Sequence, residues 1–419
     1  MSSPSPDQPA PAAAPRATTA PTVGLYIHIP FCERICPYCD FAVVAARTLD
    51  PAVEDRYVAA LLQELEARTP DFPNHQLATV YFGGGTPSLL QPESLARLLE
   101  AARAAFPTNP ATNEAIEITL ETNPSTVERD RLPSFRNLGI NRLSLGIQSF
   151  DDTTLKKLGR AHKASEARET LHAARAAGFE NLSLDLILAC PGQSIAAFKS
   201  DLETALEYTP EHLSVYELTI ESGTPFALAN ERGQLARPGD DLAAEMLELL
   251  AERCAAAGLD RYEISNYARP GFQSAHNSRY WARKPVLGIG MGAWSNEPRS
   301  GEFPFGGRRM NPRKLGPYLA GIEGEALEAA KGQEPSAIEF DRLSEPEARG
   351  EAMFLGLRCT AGLAAAPFET EFGSPPRKFY SEQIDRLMAE GLIAENTSGD
   401  LCLTERGMLL SDTVYANFV

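Results

Sequence analysis

The chain has 419 residues, 43% of them hydrophobic, which is enough for a sizeable core and two or three domains. Its formal net charge of −17, from 39 basic and 56 acidic residues, repels phosphate backbones and excludes nucleic acid as the main partner. No apolar run is long enough to cross a bilayer.

Residues 1–22 are mostly Ser, Pro, Ala and Thr, with Arg16 as the single basic side chain. They read as a disordered tail rather than an export signal or a mitochondrial presequence. The expected location is therefore cytoplasmic, where seven cysteines do not form a disulfide framework.

From residue 23 onward, short apolar runs at 25–29, 79–82, 116–121, 142–147, 182–188 and 213–218 read as buried strands. Amphipathic stretches at 53–67, 95–106 and 164–177 read as helices between them, with Gly139, Gly178 and Gly258 at C-terminal caps. Six strand–helix units imply a parallel α/β sheet with right-handed crossovers, either partly closed like a TIM barrel or open and doubly wound. Near residue 335 the texture changes. Helices at 346–357, 367–371 and 379–390, a hairpin at 392–403 and a final helix at 405–418 give a winged-helix-like α+β order. Residues 341–419 hold 7 basic and 13 acidic side chains, so this module reads as a packing element rather than a DNA binder. The expected division is a tail at 1–22, a barrel with its following region at 23–334, and the module at 335–419.

Three cysteines fall together in Tyr26-Ile-His-Ile-Pro-Phe-Cys32-Glu-Arg-Ile-Cys36-Pro-Tyr-Cys39-Asp-Phe41, on a loop directly after the first strand. Three close thiolates can hold three corners of a [4Fe–4S] cubane and leave the fourth iron open. Zinc on the triad plus His28 competes with this reading, as does simple burial. Against zinc, there is one knuckle where two are usual. Cys190, Cys254, Cys359 and Cys402 are scattered and read as small buried hydrophobes.

Polar residues then gather at strand ends. Gly83-Gly84-Gly85-Thr86-Pro87 follows the second strand, where glycines admit a ligand to the backbone and free N–H groups for it. Glu121 ends the third strand, Gln148 the fourth, and Arg160 follows in Leu158-Gly159-Arg160. Asp185 sits inside the apolar run of the fifth strand, where a lone carboxylate needs a partner. Surface charge is the competing reading for Glu121 and Arg160.

These motifs resemble the radical S-adenosylmethionine superfamily over residues 23–419, and more narrowly its oxygen-independent coproporphyrinogen III oxidase-like branch. The resemblance implies a partial (β/α)6 TIM-like barrel and a [4Fe–4S] cluster on Cys32, Cys36 and Cys39. It also implies S-adenosylmethionine held by Tyr26, the Tyr38 main chain, Gly84, Gly85, Thr86, Glu121, Gln148, Arg160 and Asp185. The implied chemistry passes an electron from the cluster to the sulfonium, giving methionine and a 5′-deoxyadenosyl radical. Oxidases of this branch carry a fourth cysteine two residues after the third; here that position is Phe41. The segment Ser274-Ala-His276-Asn277-Ser-Arg-Tyr280-Trp281 matches the H-N-x-x-Y pattern of haem-binding members, with Tyr262–Asn266 and Gly288–Ala293 matching beside it. His276 is the implied axial haem ligand, against a structural histidine as the bland alternative. Cys190, where the branch usually has an apolar residue, reads as a buried hydrophobe ahead of a soft haem ligand. The resemblance thus favours a haem chaperone over a decarboxylating oxidase and assigns no catalytic residue. The partners it implies are haem, recipient proteins such as membrane respiratory enzymes, a flavodoxin or ferredoxin reductant, and a second copy of the chain.

Overall fold

The computed structural model describes residues 20–108, 116–301, 303–330 and 339–418; most of the expected N-terminal tail lies outside them. Six parallel strands stand in sequential order: β1 (Thr22–Ile29), β2 (Gln76–Gly84), β3 (Glu117–Thr122), β4 (Arg142–Gln148), β5 (Leu182–Leu188) and β6 (His212–Glu217). The sheet does not close on itself. Antiparallel β7 (Asn266–Ala268) takes the free edge of β6, and β8 (Val286–Ile289) lies parallel on the other side of β1. Three antiparallel strands, β9 (Trp294–Glu297), β10 (Gly307–Met310) and β11 (Glu339–Arg342), extend the sheet beyond β8. The result is a partial barrel.

The helices α1 (Pro51–Arg68), α2 (Pro92–Ala105), α3 (Thr126–Asn137), α4 (Ala164–Ala176) and α5 (Ile195–Glu207) follow successive strands. Their starts are local: Asp50, Ser125 and Ser194 accept hydrogen bonds from backbone N–H groups of the first turn. Gly139 and Gly178 follow helix ends with φ of 93° and 85°, as the sequence leads one to expect.

Strand alternation sorts the side chains. Leu25, Ile27, Val80, Phe82, Leu143, Leu145, Leu184 and Leu213 point outward into one core with Leu61, Leu98, Phe135 and Phe198 of the helices. The opposite face of the same strands is polar: Arg142, Ser144, Gly146 and Gln148 on β4, and Ser214 and Tyr216 on β6, line an internal cavity. Burial is thus satisfied against the helices, and the barrel's inside is left polar.

A short helix, α6 (Ala275–Trp281), lies across the N-terminal ends of the strands. The Glu117 carboxylate at the start of β3 accepts from the Ala275 and His276 N–H groups at 3.0 and 2.9 Å, and Arg279 donates to the Thr22 carbonyl at 2.5 Å. The C-terminal module has its own apolar core of Met353, Leu357, Phe368, Ile384, Leu403 and Val414. It contains helices Glu345–Arg358, Ala365–Phe372 and Pro376–Ala389 and the hairpin Ile393–Glu395/Leu401–Leu403. The expected last helix is broken into Glu405–Leu409 and Ser411–Tyr415 at Leu410. Among the described residues no helix is long and apolar enough to cross a membrane.

Candidate radical cofactor site

The cysteine loop leaves the C-terminal end of β1, opposite the end covered by α6. It is anchored by its own backbone: Val44 N–H donates to the Pro30 carbonyl at 2.8 Å and Ala46 N–H to the Cys32 carbonyl at 2.7 Å. The glycine segment after β2 ties into the same root. Gly85 N–H donates to Ile29 O, and Thr86 N–H to Phe31 O, both at 2.8 Å, while Gly84 N–H donates to a Glu121 carboxylate oxygen at 3.0 Å. This differs from the expectation that the glycines free N–H groups for a ligand. The segment holds the cysteine loop instead. Glycine is required there by crowding: a Cβ on Gly84 would lie 2.5 Å from His28 Cε1, and one on Gly85 2.7 Å from the Phe31 carbonyl.

Cys32, Cys36 and Cys39 all line a cavity of roughly 740 Å³ that runs from the loop down the barrel lumen to Asn277 on α6. Thr86 directs its hydroxyl at the Cys32 sulfur (3.8 Å), and Arg160 directs Nη1 at the Cys36 sulfur (3.7 Å). Burial pushes the Cys32 thiol up to about 11 and raises Cys39 as well, so these two thiols stay protonated until iron ligation displaces their protons. Among the described residues, no three Cys, His, Asp or Glu side chains converge on one point as a single metal ion requires. His28 cannot complete a zinc site. Its Nε2 donates to the Ala42 carbonyl at 2.8 Å, so its Nδ1 accepts from Tyr26 OH at 3.1 Å. Three thiols around a polar cavity, with donors aimed at two sulfurs, fit a cluster whose corners are separate irons.

The other expected residues gather around the same space. Tyr38, Gly84, Gly85, Thr86, Glu121, Gln148, Arg160 and Asp185 all line it. Arg160 donates to the Gly146 carbonyl at 2.8 Å and to Asn123, while its Nε is buried without a hydrogen-bond partner. Gln148 is held at φ 67°, a left-handed conformation that a non-glycine residue adopts at a cost. Burial pushes the Glu121 carboxyl up to about 7, opposed by the bonds from Tyr81 OH (2.9 Å) and Gly84 N–H. Burial likewise raises Asp185 to about 6, opposed by the Ser144 hydroxyl at 3.0 Å, so that hydroxyls supply the partner this carboxylate needs. The unpartnered Arg160 Nε and the strained Gln148 suit a polar small ligand below the cysteine loop, in keeping with S-adenosylmethionine.

Two expected residues lie elsewhere. Tyr26 lines a smaller adjoining cavity of roughly 380 Å³, with Phe41, Tyr280 and Trp294. His276 lines neither cavity. It is 1% exposed at the lumen floor, packed against Tyr81 (5.1 Å between ring centroids), Tyr280 and Tyr26. Its Nδ1 bonds Thr79 Oγ1 at 2.8 Å, its Nε2 has no partner, and burial lowers it to about 3, so it stays neutral. Cys190 is fully buried with its thiol toward the Ile187 carbonyl (3.3 Å) and raised to about 12 by burial, as a hydrophobe would be.

Sequence reasoning misses Asn123, which bridges Thr86 and Arg160, together with Tyr81, Arg142, Ser144 and Ser214. The signal is present in Arg142-x-Ser144-x-Gly146-x-Gln148, a polar period of two inside a run that reads as apolar.

The sequence matches the family model of the Radical SAM superfamily over residues 26–205 and that of the HemN C-terminal domain over residues 343–410. It is 36% identical over 395 residues to the haem chaperone HemW of Lactococcus lactis, covering 94% of this chain and 96% of that protein. It is 35% identical over 394 residues to HemW of Bacillus subtilis, covering 94% and 98%. The fold is similar to that of the Escherichia coli coproporphyrinogen III oxidase HemN, a radical SAM enzyme, with a TM-score of 0.78 at 23% identity, over 95% of this chain and 90% of that one.

Proposed function

This chain belongs to the haem chaperone HemW family of radical S-adenosylmethionine proteins, and from that premise we propose that it binds haem and delivers it to haem-requiring proteins such as respiratory enzymes. The observation that carries the reading is similarity to haem chaperones along nearly the whole chain. The resemblance to the oxidase is one of fold.

Cys32, Cys36 and Cys39 are the proposed cluster ligands. With a [4Fe–4S] cluster and S-adenosylmethionine bound, the site gains one-electron chemistry at the upper end of the lumen. The chain's own part is positional. Thr86 and Arg160 orient and stabilise two of the sulfurs. Gln148, Arg160, Asp185, Glu121 and the Gly84–Thr86 segment, with the Tyr38 main chain and Tyr26, are the proposed contacts for S-adenosylmethionine. Phe41, 70% exposed beside the cysteines, occupies the position of the oxidase's fourth cysteine and adds apolar surface at the mouth of the site.

The test is anaerobic reconstitution with iron and sulfide, followed by parallel assays. About four irons per chain are expected, lost when the three cysteines become alanine and kept in Cys254→Ala. Haem should bind at about one per chain without consumption of coproporphyrinogen III. A chain that carries its cluster, binds no haem and forms protoporphyrinogen IX from coproporphyrinogen III overturns the proposal.

A further inference from the structure

Arg142 opens β4 with its side chain on the polar inward face of the barrel. It is 1% exposed and lines the large cavity, as do Tyr81, Ser144, Ser214 and Asn277. Three arginines of the described chain are no more than 5% exposed, and two of them are held by oxygen acceptors. Arg68 pairs with Asp71 at 2.7 Å and Glu297 at 2.5 Å; Arg279 donates to the carbonyls of Thr22 and Pro285 at 2.5 and 2.9 Å. Arg142 differs in that no protein acceptor among the described residues holds its guanidinium. Its Nε has no hydrogen-bond partner, and among the described residues no carboxylate lies within ion-pair distance of its guanidinium.

The lumen carboxylates do not fill that role. Glu121 is held by Tyr81 OH and Gly84 N–H, and Asp185 by the Ser144 hydroxyl; both feel the Arg142 charge from a distance. A buried guanidinium without a counter-ion is strongly unfavourable unless an occupant supplies one. Its planar fork matches a carboxylate in two parallel hydrogen bonds. Ser144, Ser214 and Asn277, which line the same cavity, add neutral polar groups, and the two lumen carboxylates favour a singly charged occupant over a doubly charged phosphate.

We propose that Arg142 forms a carboxylate-binding subsite at the floor of the lumen, taking the carboxylate of a bound ligand. This rests on the function proposed above, which supplies a ligand with that chemistry: haem, through its propionates.

The test uses full-length, cluster-reconstituted protein under anaerobic conditions. Haem affinity is read from Soret titration and S-adenosylmethionine affinity from equilibrium dialysis, for wild type, Arg142→Met and Arg142→Lys. Haem affinity should fall roughly ten- to a hundredfold in Arg142→Met, the range for a lost charged hydrogen bond, with partial recovery in Arg142→Lys, while S-adenosylmethionine affinity is unchanged. Unchanged haem affinity overturns the proposal, and an equal fall in both affinities shows general damage to the barrel and overturns it too. Esterified haem on the wild-type chain decides the matter even where a variant fails to fold: if haem dimethyl ester binds as tightly as the free acid, no carboxylate is recognised and the subsite does not exist. A wild-type chain that binds no haem refutes the proposed function itself, whereas haem held equally tightly by wild type and Arg142→Met refutes the subsite alone.

Discussion

At Glu121, burial and hydrogen bonding pull in opposite directions, and burial wins: the carboxyl moves from 4.5 to about 7. An acid whose folded pKa lies above its unfolded value binds more protons when folded. Its favourable contribution to stability is therefore complete below about 4.5 and is lost as pH rises through about 7. The size is roughly 3 kcal/mol. Asp185 acts with the same sign between 3.8 and about 6, so wild type must be compared with Glu121→Gln at each pH rather than read alone. Urea unfolding of the apoprotein at pH 5 and pH 7.5 should show a steeper fall for wild type than for the variant; parallel falls would show Glu121 to titrate normally. The cysteines are legible in the sequence because three thiols within eight residues seldom fall together except to hold iron or zinc. Arg142 is not, because an arginine at the start of a strand looks like surface charge until the fold places it at 1% exposure.

All six parallel strands are legible to within three residues at each end, because their outward faces are continuous Leu, Ile, Val and Phe that no other packing satisfies. The closing helix α6 is not legible as an element, since seven residues are too few for a periodic signal and its anchor, Glu117, is 158 residues away in sequence. The glycine segment stands out in the sequence, but its physical role does not: its backbone donors bind the cysteine loop and Glu121 rather than waiting for a ligand. That role makes a specific forecast. Gly84 combines φ 113° with a Cβ position 2.5 Å from the His28 ring, whereas Gly178 has φ 85° and open space around it. Gly84→Ala should cost about 2–4 kcal/mol by backbone strain and overpacking together, and should lower cluster loading by displacing the loop. Gly178→Ala should cost only about 1 kcal/mol and leave loading intact. Equal losses in thermal melts of the two variants would show that the crowding at His28 relaxes freely.

The described fold presents the proposed cofactor end at the cysteine loop and a closed end at α6, with the C-terminal module docked beside the latter through Thr360 N–H to Tyr262 O (3.1 Å) and Arg283 to Glu351 (2.7 Å) and Glu371 (2.5 Å). Its winged-helix-like order is not expected to bind DNA, because the net charge of −17 opposes a phosphate backbone. A low-salt gel shift with the full chain should show no complex, and salt-sensitive retardation would reverse that reading. Haem ligation is the larger question at this scale. The His276 imidazole is chemically suited to iron: it is neutral, and in the tautomer whose Nδ1–H donates to Thr79 its Nε2 lone pair is free. Yet it is shut under Tyr26, Tyr81 and Tyr280 at the closed end, away from the cavity mouth. Ligation therefore requires α6 to part from the barrel floor, where the Glu117 carboxylate holds its first two N–H groups. Two substitutions separate the possibilities. His276→Ala should shift the Soret band of bound haem and weaken retention while leaving the cluster in place. Glu117→Gln, which loosens α6 without touching the imidazole, should speed haem uptake in stopped-flow mixing and leave the Soret position unchanged. An unmoved Soret band in His276→Ala would leave haem binding standing and remove His276 as its ligand. Faster uptake in Glu117→Gln together with an unmoved band in His276→Ala would point to another donor exposed when α6 opens; His212, whose Nε2 is bonded at 2.8 Å to the Tyr262 hydroxyl that accepts from Ser274 N–H at the start of α6, has the right chemistry.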